Sequence, residues 1–307
     1  MTIVKKSRIG AKRQSAIEAP SRPAPALAIA GVRPAKSRGQ NFLTSAAVAE
    51  RIVAAGYLEA NDDVIEIGPG LGILTEKIAA RPHRGLTLIE LDSRLAARLR
   101  ERFDADDSVR IVNADFLEAN LAIMIERPPV KVIGNLPFNV AAAILRRLSD
   151  NSRLISRMVL MFQREVAARI RARPGDDGYS ALSVYTALYW EIDLHFAVAA
   201  GSFHPRPKVD AEVLGFRPHP VESRPFAADE EQAVLRTVRA AFSAPRKTIR
   251  NALGHALGLD AAATNSALEE SGIDPVVRAE TLCVADFVRL ARTLGSELKS
   301  RPSVHDA

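Results

Sequence analysis

The chain has 307 residues, of which 47% are hydrophobic and 25% are charged. This balance is typical of a globular protein and excludes a chain that is disordered throughout, a coiled coil or a collagen-like fibre. No run of about 18 apolar residues occurs, so we expect no membrane-spanning helix. The single cysteine, Cys283, excludes an internal disulfide and a cysteine-based zinc site, and the six scattered histidines form no H-x-x-x-H pair. We therefore expect no metal site, and a reducing, cytoplasmic setting.

The net charge of +6 comes from the N-terminal segment of the chain. Residues 1–38 hold nine of the 42 basic residues and one of the 36 acidic ones, so they carry +8 and the rest of the chain carries −2. Within this segment, residues 1–36 are rich in Ala, Pro, Lys, Arg and Ser, and their four prolines prevent a continuous helix. We predict a disordered basic arm, with an organellar transit peptide as the alternative.

From residue 37 onward, short apolar runs alternate with segments of helical periodicity. The predicted strands are 64–67, 86–90, 109–112, 131–134, 158–162, 191–198 and 209–217. The predicted helices among them are 71–80, 93–103, 139–149, 163–172 and 180–189. This order predicts an α/β domain, with a Rossmann-like parallel sheet that helices cover on both faces. The last two strands are predicted to form an antiparallel edge.

The strand signals stop after about residue 225, where only helical patterns follow. The predicted helices are 229–243, 246–257, 264–271 and 284–298. We place the boundary in the proline-rich stretch from Pro218 to Pro225. The chain is thus predicted to consist of the arm 1–36, an α/β domain over 37–220 and a small helical domain over 221–307.

A glycine-rich turn, Glu66-Ile-Gly-Pro-Gly-Leu-Gly72, follows the first predicted strand and opens a helix. Glycines in such a turn let the backbone approach a ligand closely. Ile73 stands where the dinucleotide fingerprint G-x-G-x-x-G requires glycine, which disfavours a nicotinamide dehydrogenase. The alternative interpretation is a tight strand–helix turn with no ligand.

Two acidic residues follow the next two predicted strands. Glu90 lies 22 residues after Gly68, a spacing at which a carboxylate accepts hydrogen bonds from a ribose diol. Asp115, in Asn113-Ala-Asp115, is placed to accept a hydrogen bond from an adenine amino group. Carboxyl ends of parallel strands meet at one crevice, so these groups predict a nucleoside ligand without a required diphosphate. S-adenosylmethionine fits this description.

The tetrapeptide Asn135-Leu-Pro-Phe138 follows the fourth predicted strand. The side-chain oxygen of Asn135 and the carbonyl of Pro137 are both hydrogen-bond acceptors for one amino group. Phe138 offers a flat face on which a base can stack. The alternative is a strand-ending turn with a buried phenylalanine.

These motifs resemble those of the KsgA-type rRNA adenine dimethyltransferases, over about residues 37–296. The matching segments are Gly39-Gln-Asn-Phe-Leu43, Glu66–Gly72, Ile89-Glu-Leu-Asp92, Asn113–Asp115, Gly134–Phe138, Ser202-Phe-His-Pro-Arg-Pro-Lys-Val-Asp210, Arg246-Lys-Thr-Ile-Arg-Asn-Ala-Leu253 and Arg278-Ala-Glu280. The resemblance implies an S-adenosylmethionine-dependent methyltransferase domain. It implies N6,N6-dimethylation of two adjacent adenines in the 3′-terminal hairpin of 16S rRNA, coupled to small-subunit biogenesis. A monomer that acts on the pre-30S particle, without a membrane or a metal, is the expected form.

The resemblance also assigns residues to roles. Those implied to contact S-adenosylmethionine are Asn41, Leu43, Gly68, Glu90, Asp115 and Asn135. Those implied to hold the target adenine are Asn135, Pro137 and Phe138, with Phe203 covering the other face of the base. Those implied to contact rRNA phosphates are Arg246, Lys247 and Arg250. Phe138 stands where the bacterial 16S enzymes usually have tyrosine, so it keeps the stacking face and lacks the hydroxyl.

Two other functions fit the same scaffold. A 23S rRNA methyltransferase of the macrolide-resistance type is the nearest, and the helical C-terminal segment with Arg246–Arg250 favours the 16S enzyme over it. A non-catalytic RNA-binding assembly or transcription factor is the other. The intact glycine motif, Glu90, Asp115 and the Asn135–Phe138 loop argue for catalysis.

Overall fold

A twisted sheet of seven strands organises the protein, in a computed structural model that describes residues 40–299, with side chains described to residue 295. In chain order the strands are β1 (Phe42–Leu43), β2 (Asp63–Ile67), β3 (Gly85–Glu90), β4 (Val109–Asn113), β5 (Val130–Asn135), β6 (Ile155–Gln163), β7 (Trp190–Val198), β8 (Phe203–His204) and β9 (Ala211–Pro218). The sheet has the order β4-β3-β2-β5-β6-β9-β7, and β1 pairs separately with β8. Strands β2 to β6 are parallel, whereas β9 is antiparallel to both β6 and β7. The predicted α/β sheet with an antiparallel edge is confirmed.

The helices follow the strands as the alternating pattern predicts. They are α1 (Ala46–Ala54), α2 (Ile73–Ala79), α3 (Ser93–Phe103), α4 (Leu121–Met124), α5 (Ala141–Asp150), α6 (Arg164–Arg171), α7 (Ala181–Tyr189), α8 (Glu231–Ala241), α9 (Ile249–Leu257), α10 (Ala261–Glu270) and α11 (Val284–Lys299). The sequence patterns did not predict α1, α4, β1 or β8. Local signals start α1, since Ser45 accepts a hydrogen bond from the N–H of Val48 at 3.4 Å and caps the helix.

Alternation along each strand divides the apolar side chains between two cores. On β2, Val64 belongs to the core under α1, α2 and α3, whereas Ile65 belongs to the core under α5, α6 and α7. This is the period of two that a strand buried on both faces requires. Residues paired across parallel strands point to the same face, so Glu66, Leu88 and Ile133 share the face that α2 covers.

The helices after β9 pack on the same core as the second face of the sheet. Val234 on α8, Leu253 on α9 and Phe287 on α11 belong to one continuous apolar cluster with Leu188 on α7. A hydrogen bond of 2.6 Å from the Tyr189 hydroxyl to Glu231 also links α7 with α8. The C-terminal helices are therefore joined to the sheet through a shared core.

Candidate functional site

A cleft opens at the carboxyl ends of β3, β2 and β5. Most residues predicted to bind donor or adenine line this cleft: Asn41, Leu43, Gly68, Glu90, Asn135, Pro137 and Phe138. Asp115 and Phe203 are not among its lining residues. The fold therefore brings together segments that are nearly a hundred residues apart in the chain.

The glycine-rich turn forms the floor of the cleft with left-handed backbone. Gly68, Gly70 and Gly72 have φ values of 66°, 60° and 82°, a region that side chains with a Cβ rarely adopt. A Cβ at Gly70 would also lie 3.1 Å from the ring of Phe42, which packs over the turn. Both observations explain why this turn needs glycine, and they leave its backbone open to a ligand.

Glu90 holds the glycine turn from the neighbouring strand. Its Oε2 accepts a hydrogen bond from the N–H of Gly70 at 3.0 Å, and its Oε1 accepts one from the N–H of Asp92 at 2.9 Å. Burial raises the pKa of Glu90 above its ordinary value, although these two hydrogen bonds oppose the shift. Each carboxylate oxygen has a second lone pair, so both can still accept a ribose hydroxyl.

Glu66 is a cleft residue to which the sequence motifs assigned no role. It is 1% exposed, and its Oε2 accepts a hydrogen bond from the Thr75 hydroxyl at 2.7 Å. Its Oε1 has no hydrogen-bond partner among the described residues. Burial, together with the nearby charge of Glu90, raises the pKa of Glu66 to about 8. The sequence signal that could have indicated a role for Glu66 is an acidic residue at the first position of the glycine-rich turn.

The Asn135–Phe138 loop forms the wall opposite Glu90. The side-chain nitrogen of Asn135 donates to the main-chain carbonyl of Asn41 at 3.2 Å, which leaves the side-chain oxygen as an acceptor. The N–H of Val140 donates to the carbonyl of Pro137 at 3.2 Å. One of the two predicted acceptors, the Pro137 carbonyl, is thus partly engaged within the loop.

Phe138 is half-buried at the cleft, and Phe203 packs behind it. The two ring centroids are 6.4 Å apart and the planes meet at 65°, an edge-to-face contact. Phe203 is only 2% exposed and belongs to the core under α1 and α2. In this arrangement Phe203 supports Phe138 from the core side, and its contact with the other face of the base stays a prediction.

Asp115 lies two residues beyond β4, outside the cleft lining. Its Oδ1 accepts a hydrogen bond from the N–H of Leu117 at 2.8 Å, and its carbonyl accepts two further N–H bonds from the turn that follows. The carboxylate is half-buried. Its contact with an adenine stays a prediction.

The predicted phosphate contacts lie at the start of α9. Arg246 and Lys247 are exposed, Arg250 is half-buried, and none of the three takes part in an ion pair formed within residues 40–295. Thr248 caps α9 by accepting from the N–H of Asn251 at 3.5 Å. This arrangement leaves a cluster of unneutralised positive charge, as a phosphate-binding surface requires.

The cleft fits S-adenosylmethionine by its own chemistry. It combines an open glycine backbone, a buried carboxylate at a strand end and a second buried carboxyl, Glu66, with one orphan oxygen. A nucleoside with a cationic amino-acid tail supplies partners to each of these groups. Within the described residues, no group of three or more His, Cys, Asp or Glu side chains is arranged to hold a metal ion, and no helix is both long and apolar enough to cross a bilayer.

The fold and the cleft together define a Rossmann-like, S-adenosylmethionine-dependent methyltransferase. A family model described as ribosomal RNA adenine dimethylase matches residues 33–295. The chain belongs to this family, which confirms the resemblance found in the sequence motifs.

Known relatives place the chain more closely within that family. Ribosomal RNA small subunit methyltransferase A of Geobacter metallireducens is 42% identical, over 86% of this chain and 96% of the relative. The protein of the same description from Moorella thermoacetica is 41% identical, over 86% of this chain and 93% of the relative.

Two crystal structures have the same fold. A dimethyladenosine transferase from Plasmodium falciparum has a TM-score of 0.69 at 23% identity, over 83% of this chain and 98% of that one. The 23S rRNA methyltransferase ErmE has a TM-score of 0.60 at 28% identity, over 83% of this chain and all of that one.

Proposed function

We propose that this protein transfers methyl groups from S-adenosylmethionine to adenine N6 in small-subunit rRNA, twice on each adenine. The observation that carries the proposal is the cleft, where Asn135 and Phe138 face the glycine turn and Glu90. By the family resemblance, the substrate is two adjacent adenines in the 3′-terminal hairpin of 16S rRNA, within a precursor of the small subunit.

The reaction needs an activated amine, because the N6 lone pair of adenine is delocalised into the ring. The donor carries its methyl group on a sulfonium, so the group that leaves is a neutral thioether, which is a good leaving group. The side-chain oxygen of Asn135 and the carbonyl of Pro137, which keeps a second lone pair beside its bond from Val140, accept the N–H bonds of N6, which favours a pyramidal nitrogen. The lone pair is then available for in-line attack, and positioning of this kind lowers a barrier by several kcal/mol, with an upper range of about 7–11.

Phe138 holds the extruded base. Stacking of a base on an aromatic ring contributes about 1–3 kcal/mol, and it is largely independent of sequence. The edge-to-face contact with buried Phe203 fixes the ring of Phe138 in place. No strong general base is required, since the methylated amine loses its proton readily to water.

Similarity favours the 16S substrate over the 23S substrate. The small-subunit methyltransferase of Geobacter metallireducens is 42% identical to this chain, whereas the 23S enzyme ErmE is 28% identical. A non-catalytic role is disfavoured, because the cleft keeps Glu90, Asn135 and Phe138 together around an open glycine turn.

Methyl transfer from a labelled donor tests the proposal. The purified protein is offered 30S particles and 50S particles that both lack adenine methylation, and labelled nucleosides are then identified. We expect N6,N6-dimethyladenosine in 16S rRNA only; label in 23S rRNA would favour the macrolide-resistance type, and no label would favour an assembly factor.

A variant, Asn135→Ala, tests the role of the loop. We expect methyl transfer to fall to background while thermal unfolding stays near that of the wild type, because the side chain makes one hydrogen bond of 3.2 Å within the protein. Near-normal turnover by this variant would refute the activation of N6 by Asn135.

A further inference from the structure

Glu66 is a buried ionisable group of the cleft that methyl transfer itself does not use. Its side chain is 1% exposed and points to the sheet face covered by α2, below the glycine turn. One oxygen is bound by the Thr75 hydroxyl, and the other is without a hydrogen-bond partner among the described residues. A charged carboxylate with a bare oxygen in such a place is strongly disfavoured.

Among the residues that the structure describes, no positive charge compensates that of Glu66. From β3, the group that acts on it is Glu90, which has the same charge sign, and from α2 it is the neutral Thr75 hydroxyl. The polar cleft residues contributed by β5 and by the segment before β1 are the neutral amides Asn135 and Asn41. With its pKa raised to about 8, Glu66 is mostly the neutral acid at neutral pH in the free protein.

The methionine end of S-adenosylmethionine carries an ammonium and a sulfonium. Either cation, placed beside Glu66, would favour the charged carboxylate over the neutral acid. We propose that Glu66 recognises a cationic group of the donor and that donor binding drives the Glu66 proton into solvent. The O–H bond of the carboxyl breaks, the proton passes to the buffer, and the carboxylate stays behind to pair with the cation. This inference deepens the proposed function, on which it rests.

The sign of the pH dependence follows from the direction of the shift. Below pH about 8 the free protein holds the proton and the complex does not, so the donor must displace it. Donor affinity then rises with pH, by up to about tenfold per unit for one proton, and becomes independent of pH above the pKa of the free protein.

Titration calorimetry on the full-length protein tests the coupling. S-adenosylmethionine and S-adenosylhomocysteine are each titrated near neutral pH in two buffers that differ in ionisation enthalpy. We expect release of a substantial fraction of one proton by the wild type. Release with both ligands assigns the partner as the ammonium, which they share, and release with S-adenosylmethionine alone assigns it as the sulfonium.

Two variants locate the proton. Glu66→Gln should abolish proton release and flatten the pH profile, binding about as well as the wild type at low pH and more weakly above pH about 8. Glu76→Gln is the control, because Glu76 is an exposed carboxylate on α2, next to Thr75, and it should keep the wild-type release. Circular dichroism establishes that each variant is folded.

A third variant keeps the inference testable if Glu66→Gln does not fold. Thr75→Val removes the hydroxyl that lowers the pKa of Glu66, so the rise in affinity should extend to higher pH. Donor binding without proton release, unchanged release in Glu66→Gln, or an unshifted profile in Thr75→Val would each overturn the coupling and leave the proposed function standing. Absence of binding by both ligands would overturn the proposed function as well.

Discussion

Replacing Glu90 by alanine should separate the two tasks of this side chain. It is 5% exposed, and its carboxylate accepts N–H hydrogen bonds from Gly70 at 3.0 Å and Asp92 at 2.9 Å. Hydrogen bonds to a charged acceptor contribute about 1.5–3 kcal/mol each. The raised pKa of Glu90 indicates, however, that the cost of burying its charge exceeds this gain.

The net loss of stability in Glu90→Ala is therefore expected to be small, about 1 kcal/mol, well below the sum of two charged hydrogen bonds. Donor binding should lose more, about 1–3 kcal/mol, because the ribose hydroxyls lose their charged acceptor. That loss corresponds to roughly a 5- to 150-fold rise in Kd. Calorimetry with S-adenosylhomocysteine measures the second quantity, and urea unfolding without ligand measures the first.

Glu101→Ala is a suitable control, since this exposed carboxylate on α3 takes no part in the cleft. It should leave both affinity and stability unchanged. Unchanged donor affinity in Glu90→Ala, or a loss of stability larger than the loss of affinity, would refute the reasoning and reduce Glu90 to a structural support of the glycine turn.

Three further predictions concern RNA. Phe138→Ala should lower kcat/KM for the RNA by roughly 5- to 150-fold with donor affinity unchanged, because stacking is worth about 1–3 kcal/mol. Phe138→Tyr, which keeps an aromatic ring, should retain activity. A matching loss of donor affinity in Phe138→Ala would contradict this role. Arg246→Ala and Lys247→Ala should each reduce the salt slope of RNA affinity by up to about one, as loss of a phosphate contact does. Deletion of residues 1–36, which lie outside the described residues, should keep catalysis on free 16S rRNA and make the salt dependence shallower, because this segment carries +7. An unchanged slope in the deletion would make targeting the better explanation for the arm.

The strands of the seven-stranded sheet were predictable because local composition determines them, whereas the two-residue strands β1 and β8 are too short to show a pattern. Apolar runs such as Val64–Ile67 are bounded by turns, and the observed strand Asp63–Ile67 differs from that prediction by one residue. The helix α1 was missed although Ser45 and the apolar residues Val48, Ile52 and Val53 carry a cap and a helical spacing. The four-residue helix α4 is too short for periodicity to reveal.

The site was predictable as a set of residues and much less so as a set of contacts. Motif spacing brought Glu90 and Asn135 to one sheet edge, as the register of the parallel strands now explains. It gave no information on burial: nothing in the motif shows that Phe203, predicted to cover the other face of the base, is almost fully buried. Nor does any spacing show that one oxygen of Glu66 lacks a partner, since that depends on how α2 packs against β2.

The core shared between the sheet and the C-terminal helices affects how the protein would select a base in the RNA. Because α8, α9 and α11 share one buried core with α7, we expect the distance from Arg246 and Lys247 to the ring of Phe138 to change little when RNA binds. Under the proposed function, we expect the protein to reach one base at a set distance from its phosphate contacts. Two neighbouring adenines would then be methylated in turn, with the RNA shifting by one nucleotide between them.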